Sequence, residues 1–182
     1  MVAIVVVLLA VVAWAVFIYN RLVRLRNQVR TAWADIDVQL TRRHDLVPQL
    51  VSAVRAYAAH ESAVLEAVTS LRARALEQPG PRQLGEVESE LEQAIGRLFA
   101  LQEAYPELRA SENFAKLQDD LVDVEEHLQY ARRFYNGAVR DYNDATQRVP
   151  DLVVARGFGF AASEFFQAGD GERAAPKLEL QR

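Results

Sequence analysis

Apolar and polar positions divide the chain before any motif is considered. From Val2 to Tyr19 the run VAIVVVLLAVVAWAVFIY holds no charged residue over 18 positions, near the lower end of the roughly 17 to 25 needed to cross a bilayer as a helix. From Val29 the apolar positions Val29, Trp33, Ile36 and Leu40 keep one helical face. Beyond Pro48 the series resumes as Leu50, Val54, Tyr57, Val64, Val68, Leu71 and Ala75. This spacing predicts a long amphipathic helix. Pro48 has no N–H for the His44 carbonyl and its ring crowds that turn, so a kink or short break is expected near 44–48.

EQPGPRQLG at 77–85 has the strongest turn composition in the chain and predicts the end of that helix. A second helix carries Val87, Leu91, Ile95 and Leu98 on one face and ends near AYPEL, where Pro106 disfavours helix at Tyr105. Ser111 is an N-cap candidate for a third helix, with Glu112 in its first turn. There Phe114, Leu117, Leu121, Val124, Leu128, Ala131, Tyr135, Ala138, Tyr142, Ala145 and Val149 alternate steps of three and four up to Pro150. At ~1.5 Å per residue this helix would reach roughly 55 Å. The remaining PDLVVARGFGFAASEFFQ places four of the eight phenylalanines between 158 and 166. It reads as a strap over the open end of the bundle, with a membrane-surface or partner contact as the alternative.

These elements predict an all-α protein: a long antiparallel helical bundle of three long helices plus a short fourth element, with an N-terminal transmembrane helix. The expected divisions are an anchor at 1–20, a bundle at 21–166 and a flexible tail at 167–182.

Charge sets an expected orientation. Trp14, Phe17 and Tyr19 gather at the end of the span where rings favour the interface, and Arg21, Arg24, Arg26 and Arg30 follow with no acid among them. Trp14, Tyr19, Arg21, Arg24 and Arg26 are therefore the expected membrane-interface residues. The positive-inside bias puts the bundle in the cytoplasm of a bacterial inner membrane crossed once; the periplasmic or extracellular side is the alternative. Ala13 and Ala15 form an A-x-A pattern, yet no basic region precedes the apolar run and the run continues past the would-be cleavage point. A retained anchor is the reading. Residues 31–182 carry a formal charge of minus 8, which argues against nucleic acid as a partner.

DVQLTRRHDLVPQLVSAVRAYAAHE at 37–61, ENFAKLQDDL at 112–121 and ARRFYNGAVRDYNDA at 131–145, behind a single apolar span, resemble the LemA family of bacterial membrane-anchored proteins. The likeness runs from about Leu22 to Phe166, with Arg42, Arg43, Asp45, Leu46, Val47, Pro48, Leu50 and Val51 matching one core motif. It implies a helical bundle on one N-terminal span, without established enzymatic activity. It also implies an association with membrane-embedded zinc proteases.

Chemistry is sparse. With no cysteine, thiolate metal sites, disulfides and Cys nucleophiles are excluded. Glu-x-x-His, the signature of a di-iron bundle, is missing at His44, His60 and His127, which follow Thr41, Tyr57 and Val124 by three residues. RGFGF lacks the lysine and the strand-turn-helix context of a phosphate loop, and no Gly-x-Ser-x-Gly elbow occurs. No catalytic, metal or cofactor site is expected.

One repeat asks for an explanation: Tyr135-Asn136 and Tyr142-Asn143 stand seven residues apart on the third helix. Each tyrosine lies in the apolar stripe with its asparagine at the edge. The other polar concentration is Arg42, Arg43, His44 and Asp45 before Pro48. The expectation is a polar lock joining Arg42, Arg43, Asp45 and Pro48 to Tyr135, Asn136, Tyr142 and Asn143, or a partner contact made by the same residues. The function read from these features is a non-enzymatic scaffold or adaptor of the bacterial envelope. Its partners would be the lipid bilayer, other membrane proteins and further copies of itself. A signal relay through a continuous anchor-to-bundle helix is the alternative.

Overall fold

In the computed structural model, which describes residues 1–77 and 80–166, the described residues are helical and contain no strand. The elements are α1 (Val2–Arg55), α2 (Ser62–Leu76), α3 (Pro81–Ala100), a 3-10 turn (Leu101–Glu103), α4 (Pro106–Arg109), α5 (Glu112–Gln147) and α6 (Asp151–Gly157). The expected tail at 167–182 lies outside the described residues.

The helix ends follow local chemistry. Pro81 and Pro106 open α3 and α4, where a missing N–H costs nothing. Ser111 Oγ accepts from Phe114 N at 3.4 Å, a long N-cap bond. α6 ends on Gly159 with φ +72, and Phe160 N donates back to Ala155 O at 2.9 Å. That is a Schellman closure, so the second glycine of RGFGF, Gly159, serves a helix cap.

Two boundaries differ from the pattern reading. α1 runs through Pro48 unbroken to Arg55, so the break expected at 44–48 is absent. The chain breaks instead at 56–61, where Tyr57 N and Ala58 N both return to Val54 O and Glu61 N to Ala58 O. No proline or glycine marks this turn; it permits α2 to fold back and pack on α3.

The described chain falls into two compact units. One comprises Met1–Val38 with Leu128–Phe165, and the other Gln39–His127 with Phe166. In the first, buried Ile18, Leu22, Val29, Ala32 and Ile36 from α1 and Leu128, Ala131, Tyr135, Ala138, Tyr142 and Ala145 from α5 form the interior. Every member of the predicted α5 stripe is buried except Val149, which is exposed because α5 stops at Gln147. In the second, one apolar cluster draws Val47, Leu50 and Val54 from α1, Leu65 and Val68 from α2, Leu91 and Leu98 from α3, and Phe114, Leu117 and Leu121 from α5.

Candidate functional site: a buried ion cluster and a tied strap

On α3 the inward positions are Leu84, Val87, Glu88, Leu91, Ile95 and Leu98. Glu88, one turn from both Leu84 and Leu91, is therefore carried into the interior, where its exposure is 0%. A carboxylate there needs donors to offset its lost hydration. Arg43 Nη1 donates to Glu88 Oε2 at 3.1 Å, and His44 Nε2 pairs with Glu88 Oε1 at 2.6 Å. The other Arg43 amine, Nη2, pairs with Glu125 Oε2 on α5. A single guanidinium, 2% exposed, thus joins α1, α3 and α5 through two carboxylates, a geometry suited to its planar fork.

The flanking groups extend this clasp. Arg42 pairs with Asp123 at 2.7 Å and Asp120 at 3.5 Å on the exposed side of α5, contacts that add little stability in water. Arg72 Nε, from α2, donates to the His44 carbonyl at 2.7 Å. Asp45 and Pro48 are exposed on the outer face of α1, and the Asp45 carbonyl accepts from Gln49 Nε2 at 3.1 Å. Beside the cluster lies a groove of about 240 Å³ whose walls include Arg43, Glu92, Gly96, Phe99 and Glu125. Glu88 itself is sealed from solvent, and through Arg43 it helps to fasten α1, α3 and α5.

The Tyr-Asn repeat belongs to the other unit. Tyr135 and Tyr142 are buried, and the Tyr135 ring meets Trp33 of α1 with centroids 5.3 Å apart. Tyr135 Oη donates to Glu164 O at 2.9 Å. Asn143 Nδ2 donates to Ser163 O at 2.9 Å while Asn143 Oδ1 accepts from Ser163 N at 2.8 Å. Burial, with a smaller contribution from Glu164, raises the Tyr135 hydroxyl above its ordinary value. Burial also raises Tyr142, against the opposing influence of Arg26 and Arg30.

Tyr135 and Asn143 bond the backbone of the strap, whereas Arg42 and His44 bond groups on α5, α3 and α2. The physical reason is the strap itself. Residues 161–166 have no helix or strand to satisfy their peptide groups, and an asparagine amide offers one donor and one acceptor to a single extended residue. Ser163 and Glu164 were not singled out from the sequence, although a backbone hydrogen-bond inventory of the segment raises the question they answer. Glu88 was missed as well; its signal is an acid on the inward stripe of α3.

The residues expected at a membrane interface lie in the same unit as the strap. Trp14, Tyr19 and Arg24 are exposed. Arg21 Nη1 pairs with the buried Asp151 Oδ2 at 2.6 Å, and the Arg26 guanidinium lies over the Phe160 ring at 5.0 Å. Both arginines therefore have partners within the protein. Among the described residues no group of three or more metal-ligating side chains occurs, and α1 is the helix long and apolar enough to cross a membrane.

Fold and site together define an all-α, membrane-associated protein fastened by a buried ion cluster. The LemA family model matches residues 32–180, and the chain belongs to the LemA family. It is also similar to magnetosome protein MamQ 2 of Paramagnetospirillum magneticum, 25% identical over 93% of this chain and 73% of that protein. Magnetosome protein MamQ of Magnetospirillum gryphiswaldense is 24% identical over 88% of this chain and 70% of its own length.

Proposed function

We propose that this chain is a non-enzymatic, single-pass scaffold or adaptor of the bacterial inner membrane, acting through helix-mediated contacts with other membrane proteins or with further copies of itself. The observation that carries the reading is an exposed aromatic pair one turn apart on α5: Tyr130 is 67% and Phe134 50% exposed, with the Arg133 guanidinium 4.6 Å from the Tyr130 ring. Tyrosine and arginine are over-represented among the residues that anchor protein interfaces. Photocrosslinking from positions 130 and 134 in native membranes tests it. The membrane zinc protease implied by the family resemblance is one candidate for the captured protein.

The four arginines after the span support a cytoplasmic bundle. A single cysteine replacing the exposed Glu107 should stay unlabelled by an impermeant reagent in intact spheroplasts; labelling reverses the orientation. A relay is the second reading, favoured by the unbroken α1 from Val2 to Arg55. A Gly-Ser insertion after Asn27 separates the two, since a scaffold tolerates it and a relay loses function while remaining folded.

A further inference from the structure

Residues 2–17 are exposed apart from the half-buried Ala15, whereas Ile18 and Leu22 are already buried inside the first unit. On the membrane-spanning reading, on which this inference rests, the end of the unit next to Ile18 therefore faces the bilayer surface.

That end is α6. Its start is held by the Arg21–Asp151 ion pair, and the residue that follows it, Phe158, packs its ring on Tyr19 with centroids 5.0 Å apart. Both contacts fall within Tyr19–Arg21 of α1, so α6 and Phe158 lie beside the stretch where the exposed apolar run ends. Its inner residues are Asp151, Val154 and Ala155. Outward it presents Val153, 68% exposed, and Phe158, 65% exposed, follows it; Val149, ahead of the helix, is exposed as well.

Charge selects the occupant. Between Arg148 and Ser163 the single acid is Asp151, which is buried and neutralised by Arg21. Arg148 and Arg156 on the same stretch are exposed, as is Glu164 just beyond it. Exposed apolar side chains with cations close by in sequence, next to an apolar span, match the headgroup layer of an anionic membrane. We infer that α6 and Phe158 form a foot seated in the interfacial layer of an anionic bilayer.

The absence of cysteine makes the test direct. Single replacements Leu9→Cys, Val153→Cys, Phe158→Cys and Val38→Cys in the full chain, each carrying an environment-sensitive fluorophore, are reconstituted in phosphatidylcholine vesicles with and without phosphatidylglycerol. Lipids spin-labelled in the interfacial layer quench positions 153, 158 and 38, lipids spin-labelled at mid-chain quench position 9, and circular dichroism confirms helicity. Quenching and a blue shift at 153 and 158, stronger with phosphatidylglycerol, and none at 38, are expected. A quenched position 9 with water-exposed 153 and 158 overturns the foot while leaving the span intact; an unquenched position 9 overturns the span. Equal quenching in both lipids overturns the anionic surface. Labels exposed in vesicles yet buried in native membranes assign the face to a protein and overturn the proposal.

Discussion

Arg72 Nε donates to the carbonyl oxygen of His44 at 2.7 Å, the oxygen that Pro48 leaves without its helical donor. This bond accounts for an unbroken α1 through a proline and ties α2 to α1 at that point. Arg72→Ala should destabilise the detergent-solubilised chain by about 1–3 kcal/mol, since a partly buried carbonyl loses its partner. In a Pro48→Ala background, where residue 48 regains its N–H, the same change should cost less, with a coupling of roughly 0.5 kcal/mol or more in thermal unfolding. Plain additivity would show that the two residues do not serve one carbonyl.

Arg43 bears a different kind of load. Arg43→Met leaves the buried Glu88 with His44 beside it but without its guanidinium, and removing one partner of a buried pair costs up to about 3–5 kcal/mol. Arg42→Ala, on exposed carboxylates, should cost under about 1 kcal/mol. The double change Arg43→Met with Glu88→Leu should recover part of the loss. Equal effects of the two arginines in denaturant titrations would contradict the assignment of Glu88 to a sealed cluster.

For the strap, Asn143→Ala removes both bonds to the Ser163 peptide. Amide exchange at Ser163 should accelerate strongly, with a stability loss of about 1–3 kcal/mol, while exchange in the second unit stays as before. Unchanged protection at Ser163 would show that something else holds the strap.

These networks were unequally visible in the sequence. The α5 stripe from Phe114 to Ala145 was legible because three-and-four spacing leaves one solution for a helix with a buried face. The start of α3 at Gly80 and Pro81 was legible from turn chemistry. Pro48 misled, because a side chain 24 residues later replaces the bond that it removes, and local rules cannot see that. The turn at 56–61 was illegible for the opposite reason: Ala56, Tyr57, Ala58 and Ala59 are all acceptable in a helix, and packing alone sets the reversal. The polar crowd at 42–45 announced a cluster, yet its acids, Glu88, Asp120, Asp123 and Glu125, lie on two other helices. Their choice depends on tertiary register.

The buried tyrosines predict an alkaline limit. Tyr135 is raised above its ordinary value of 10.0 by burial and Glu164, and Tyr142 by burial. Each hydroxyl keeps its proton in the folded state at a pH where the unfolded chain has begun to lose it. The stability they contribute is therefore complete below about pH 10 and disappears as pH rises through their elevated folded values. Tyr135→Phe should flatten the fall of the thermal midpoint above that pH. A wild-type midpoint that holds steady while tyrosinate absorbance grows would contradict it.

On the scaffold reading the chain works by holding other proteins through its exposed α5 face. A photoreactive amino acid at Phe134, and separately at Tyr130, irradiated in native membranes, tests this most directly. Defined adducts, either a discrete partner or a dimer of the chain, are expected from 130 and 134 and not from the exposed Asp141 on the same helix. Clean monomer at all three positions, in membranes where the protein is folded and abundant, would contradict the scaffold reading.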